Sequence, residues 1–202
     1  MKKFLRCLVL LLPLASALVP QASHAESTVY NATEGHVNSL VIFEQGGYAR
    51  VYGLFTRGVG RMKFDEAGQV LDGLKLALLL KSFVSTSAAA QDEMNGHRPS
   101  PPNGEQEVAF VQTDTARFQD NKASVKGELL INGVRKDVIF TATLNKVGSL
   151  SKSTDVFDEG TQTLGFSMHI NFKPSDFSMQ GDEKESPFKD SAVLMLDIVA
   201  QH

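Results

Sequence analysis

Val125-Lys126-Gly127-Glu128-Leu129-Leu130-Ile131-Asn132-Gly133-Val134-Arg135-Lys136-Asp137-Val138 is the stretch that decides the fold. Val125, Gly127, Leu129 and Ile131 fall on one face of an extended chain, and Lys126 and Glu128 fall on the other. Such period-two alternation marks a strand with one face in a core. Asn132-Gly133 is the strongest short hairpin signal, because both residues tolerate positive φ and a two-residue turn requires it. Val138, Phe140, Ala142 and Leu144 then return on the same face.

Working outward, the same period recurs in short runs separated by turn residues. Upstream, Ser39, Val41 and Phe43 share a face before Gly46-Gly47, and Val51, Gly53 and Phe55 follow it. Gly58 and Gly60 lead into Met62 and Phe64, and Asp65 to Gly68 reads as a loop. Leu74 to Phe83 is ambiguous, although Lys75 and Lys81 favour Leu74, Leu76, Leu78 and Leu80 as the inner face. Val108, Phe110 and Gln112 begin the strands again. Downstream, Gly148 to Gly160 reads as a polar linker before Phe166, Met168, Ile170 and Phe172. Ala192, Leu194, Leu196 and Ile198 form the last inner face, with Asp197 outside.

Between Ser85 and Gly104 the pattern fails. Ala88 to Met94 can form a short helix capped by Ser87, and Arg98-Pro99-Ser100-Pro101-Pro102-Asn103-Gly104 excludes regular structure. No repeat and no long amphipathic helix is present. The residues therefore predict one all-β domain of about eight strands with a single short helix or irregular region. Its architecture is an antiparallel barrel or a sandwich.

The first 25 residues read as a secretory signal. Lys2, Lys3 and Arg6 precede an apolar run from Cys7, and Ser23 and Ala25 supply the small residues of a cleavage site. A retained anchor fits less well, since the run falls short of the ~20 apolar residues of a spanning helix. Cys7 starts that run rather than following it, which argues against a lipoprotein. The expected mature domain is residues 26–202, and a cysteine-free exported domain fits the periplasm. Losing three cations and no acid takes the net charge from −3 to −6. An acidic domain without a basic stripe is a poor nucleic-acid ligand. The sole cysteine leaves with the leader, so disulfides, thiolate metal sites and a cysteine nucleophile are all excluded.

Motifs for chemistry are absent. There is no Gly-rich phosphate loop and no nucleophile elbow. His36, His97, His169 and His202 are scattered, with none paired at metal spacing, and His169 falls outward. Asp65-Glu66, Asp92-Glu93, Asp158-Glu159 and Asp182-Glu183 read as solvated turns rather than acid/base pairs. Asn31-Ala32-Thr33 matches a glycosylation sequon that a bacterial setting leaves idle. The one informative signal is the apolar, phenylalanine-rich interior, which on the residues alone is best explained as a filled core.

A resemblance shifts that balance. The Val125–Val138 hairpin resembles the signature of the YceI-like family, hydrophobic-x-Gly-x-Leu-x-hydrophobic-Asn/His-Gly-Val-x-Lys-x-Val. Ser39 to Phe43, Val51 to Phe55, Gly60 to Asp65, Val84-Ser85-Thr86 and Phe166 to Phe177 resemble its other segments in order. Together they span about Tyr30 to Ala200. The resemblance implies a lipocalin-like antiparallel barrel in the periplasm whose lumen holds a polyisoprenoid or similar long amphiphile, an isoprenoid quinone among them. Gln91-Asp92-Glu93-Met94-Asn95 departs from the family's Arg-Asp-x-His-Leu helix, so no headgroup recognition carries over.

The resulting expectation is a non-catalytic carrier without cofactor, metal or stable membrane anchor, compatible with a monomer or a homodimer. The alternating faces and the hairpin motif nominate Phe43, Phe55, Leu78, Phe110, Leu129, Phe140, Phe166, Met168, Phe172 and Leu194 as the cavity wall. The alternative is a protein-interaction or stress-response module with a filled core and no lipid.

Overall fold

The Asn132-Gly133 turn forms as its residues dictate. Asn132 has φ 51° and Gly133 φ 78°, and Ile131 pairs with Val134 directly across the turn. In a computed structural model of the chain, the described residues are 27–95, 107–149, 160–179 and 186–202. The leader and the proline-rich segment after Asn95 lie outside them.

Twelve strand segments follow in chain order: β1 (Thr28–Ala32), β2 (Val37–Gln45), β3 (Ala49–Phe55), β4 (Gly58–Asp65), β5 (Val70–Leu79), β6 (Phe83–Ser85), β7 (Glu107–Gln112), β8 (Ala116–Arg117), β9 (Lys122–Ile131), β10 (Val134–Ser149), β11 (Gln162–Phe172) and β12 (Phe188–Gln201). One helix, α1 (Ala88–Asn95), lies between β6 and β7, and single 3₁₀ turns occupy Leu80–Ser82 and Pro174–Phe177.

The register reduces these segments to eight staves. β1 and β2 both face β12, through Asn31↔Gln201 and Val37↔Ile198, and so are one bent stave. β3 and β4 run opposite β2 and β1 as the second. β5 and β6 run opposite β4 and β3 as the third. β7 and β8 form the fourth against β5, and β9 to β12 complete the series. Every neighbouring pair is antiparallel, and the eighth stave closes on the first. The result is an up-and-down antiparallel barrel of eight strands with one short helix. Closure removes the unpaired edges that a sandwich of this size would expose.

Inner and outer faces follow the expected alternation. β9 buries Ala123, Val125, Gly127, Leu129 and Ile131, and it exposes Lys122, Ser124 and Lys126. In β5, Leu74, Leu76 and Leu78 are inside and Lys75 is outside, so the ambiguous Leu74–Phe83 run is strand as far as Leu79, a 3₁₀ turn over Leu80–Ser82, and strand again from Phe83. One expectation needs correction. β10 continues through Gly148 to Ser149, paired with Thr163 and Gln162, so the linker begins later than the polar composition suggested.

Long staves must bend to close a barrel, and each bend removes ladder partners from the backbone. Polar side chains fill these gaps. The Phe55 amide donates to Ser39 Oγ at 2.9 Å, and Ser39 Oγ donates to the Phe55 carbonyl at 3.2 Å. Ser82 Oγ accepts from the Arg57 amide at 3.1 Å and donates to the Leu79 carbonyl at 2.7 Å. Ser82 is buried, so Ser82→Ala should cost about 1–2 kcal/mol by leaving these groups unpaired. Urea unfolding at unchanged m-value would measure it.

Candidate functional site

The barrel interior is the candidate site, and its two ends are closed differently. Leu79 pairs with Glu107 and Ala109 with Leu130. These pairings put the end of β5, the start of β7 and the Asn132-Gly133 turn at one end, together with α1. Ser87 caps that helix, its Oγ accepting from the Ala90 amide at 3.3 Å. Gln91 then ties the helix to the third stave. Its Nε2 donates to the Phe83 carbonyl at 2.7 Å, and its Oε1 accepts from the Ser85 amide at 3.2 Å. So anchored, α1 buries Ala90 and Met94 in the same core as the barrel interior.

Asp92 and Glu93 depart from the expected solvated pair. Both sit on α1; Asp92 is exposed, but Glu93 is buried and its Oε2 accepts from Ser186 Oγ at 3.3 Å. Helical phase separates the two neighbours, which the acidic dipeptide alone could not reveal.

At the opposite end, Phe64 and Phe118 meet edge-on with ring centroids 6.1 Å apart. Gln162 gathers the surrounding polar groups, donating to Glu66 Oε2 at 3.4 Å and accepting from Ser149 Oγ at 3.1 Å. Tyr30 is buried here, and burial first, then the Glu66 carboxylate, push its phenol above the ordinary value near 10; a hydrogen bond with Gln162 opposes them. A raised folded-state value means the neutral phenol stabilises the fold below the unfolded pKa. That contribution is lost as pH rises through the folded value. Unfolding followed above pH 10 should therefore show a stability loss that Tyr30→Phe reduces.

All ten nominated wall residues are buried within one continuous hydrophobic cluster, Phe172 being the most exposed at 7%. Leu129 pairs with Phe110, Met168 with Ala142 and Leu196, and Leu194 with Val41 and Ile170. Phe110 and Phe140 meet edge-on at 5.0 Å.

The alternation missed Phe83, Phe118, Phe177 and Phe188, which belong to the same cluster. Phe83 is missed because the Leu80–Ser82 turn resets the phase of its stave. Phe188 sits beside a register shift between β12 and β2. An available signal was Gly53, because a Cβ there would stand 2.1 Å from the Phe83 ring. An inward glycine in a strand marks a close approach of this kind.

The electrostatics are one-sided. Every described lysine and arginine is exposed, and ion pairs such as Arg57–Glu34 at 2.7 Å lie on the outer surface. The buried polar side chains among the described residues are His36, Ser82, Glu93, Gln112 and Asn132. Among the described residues no three of His, Cys, Asp and Glu converge to hold a metal ion, and His169 is exposed as expected. The described interior is wholly apolar apart from those few buried polar side chains. The nominated wall residues supply no acid, base or nucleophile.

An eight-strand closed meander with an apolar interior and a charged exterior is a small up-and-down β-barrel, a class whose lumen is either filled by side chains or holds one small ligand. The YceI-like domain family model matches residues 21–200, so the chain belongs to the YceI-like family. A UPF0312 protein of Photorhabdus laumondii is 25% identical over 186 residues, covering 91% of this chain and 92% of the relative. One from Pseudomonas putida is 27% identical over 152 residues, covering 75% and 73%. Among solved structures, Burkholderia cenocepacia BcnA superposes with a TM-score of 0.66 at 20% identity, covering 83% of this chain and 98% of BcnA. A polyisoprenoid binding domain from Saccharophagus degradans superposes at 0.55 with 9% identity, covering 87% and 99%.

Proposed function

We propose that this protein is a non-catalytic carrier of a polyisoprenoid or a similar long amphiphile, an isoprenoid quinone included, enclosed by the barrel. The carrying observation is the interior itself: ten nominated wall residues in one buried apolar cluster, with every described cation on the outside. Each methylene removed from water contributes roughly 0.8 kcal/mol, so a few isoprene units would drive binding without a charged contact. The fold shared with a polyisoprenoid binding domain supports the same ligand class.

Export belongs to the proposal. The leader would be cleaved after Ala25, and the carrier would work in the periplasm, where an apolar tail needs shielding between two membranes. Intact mass of the protein recovered from the periplasm should begin at Glu26; a full-length chain retained in the membrane fraction would contradict this.

The ring contacts, such as Phe55–Phe83 at 5.1 Å and Phe43–Phe188 at 5.2 Å, favour a second reading, a filled core serving a protein-binding module. Titration with a fluorescent isoprenoid separates the two. A carrier saturates at one probe per barrel, and unlabelled isoprenoid displaces it; a filled core gives no saturable uptake.

A further inference from the structure

The exposed cations and one buried amide bear on the kind of head such a ligand carries. Asn132 is 7% exposed, and among the described residues neither its Nδ2 nor its Oδ1 has a hydrogen-bond partner. A buried donor and acceptor left unpaired cost about 1–3 kcal/mol each. The turn itself does not require them, because glycine occupies this position of a two-residue hairpin equally well. Asn132 follows the inward-facing Ile131 and stands at the α1 end of the barrel, where Glu93 is also buried.

Resting on the carrier reading, we propose that the Asn132 amide is the polar anchor of the bound amphiphile. It would donate from Nδ2 to, and accept at Oδ1 from, a neutral oxygen head: an isoprenoid alcohol, phenol or quinone-type carbonyl. Phosphate and diphosphate heads are disfavoured by the same surroundings. They require cations, and every described lysine and arginine is exposed while a carboxyl group shares this end.

The test uses displacement of a fluorescent isoprenoid by three chains of equal length, ending in a hydroxyl, in hydrocarbon or in diphosphate. Wild type should prefer the alcohol over the hydrocarbon by about tenfold, equivalent to about 1.4 kcal/mol, and should bind the diphosphate more weakly than the alcohol. Asn132→Gly keeps a turn compatible with positive φ, so its thermal midpoint should equal or exceed that of wild type. It should bind the hydrocarbon as wild type does and lose the preference for the alcohol. Asn132→Asp also suits the turn but presents acceptors only; it should retain part of the preference for the alcohol, which can still donate to it, and weaken the diphosphate further. Equal alcohol and hydrocarbon affinity in wild type, a preference that survives Asn132→Gly, or tighter binding of the diphosphate would overturn the anchor while leaving the carrier intact. Failure of all three chains to displace or bind would overturn both.

Discussion

Gly127→Val should destabilise the barrel by about 3 kcal/mol, the upper part of the range for overpacking a closely packed site. A Cβ at this position would stand 2.4 Å from the Val111 carbonyl oxygen and 2.4 Å from the Phe110 ring. The ring could turn, but the carbonyl belongs to the neighbouring stave, so relief would require moving the backbone of β7. Gly127 also pairs with both Gln112 and Val138, so the disturbance would reach three staves. The thermal midpoint should fall by roughly 6–12 °C for a domain of this size. Gly127→Ala should show the same effect in weaker form. A midpoint within a degree of wild type for the valine variant would mean that the close approach of β7 and β9 is absent.

Gln112→Leu should cost a comparable amount for the opposite reason, by emptying a polar position rather than crowding an apolar one. Gln112 Oε1 accepts from the Leu74 amide at 3.0 Å, and its Nε2 donates to the carbonyls of Leu71 at 3.0 Å and Asp114 at 2.6 Å. Those groups lie where β5 bulges around Gly73, which has φ +60°, and where its pairing passes from β7 to β8. Leucine fits the burial but strands the Leu74 amide and the Leu71 carbonyl, at about 1–3 kcal/mol each. Gln112→Glu is the sharper variant. It keeps an acceptor for Leu74 while placing a carboxylate against two carbonyls, and its urea midpoint should fall further than that of the leucine variant at neutral pH. A glutamate variant as stable as wild type would mean that the Gln112 side chain does not bridge β5.

Both positions show where a sequence speaks and where it is silent. Gly127 was visible as an inward member of an alternating run, because strand period alone assigns faces. Its clash partner was not, since that depends on which stave lies alongside. Gln112 was visible only as a strand residue. Its bridging role arises from a bulge in the adjacent stave, 38 residues earlier in the chain, which no local pattern encodes. The inward placement of the ten nominated residues was legible for the first reason: each lies in an uninterrupted period-two run. Phe83, Phe118, Phe177 and Phe188 were not, because turns and register shifts reset the phase before them. Glu93 was obscured by its neighbour Asp92, and Asn132 was legible as a turn residue but not as a buried amide.

These features fit together in one physical picture. Serine and glutamine side chains repair the ladder where the staves bend, so the barrel can close. Closure sets the apolar faces together and leaves the described cations outside. That separation is what a carrier of an uncharged tail requires.

The most direct measurement of the central claim is lipid extraction from the protein purified from its native host, with mass spectrometry of the extract. A carrier should yield an amphiphile with an isoprenoid tail at near one molecule per barrel. A reproducibly empty protein that also fails to take up a fluorescent isoprenoid would contradict it.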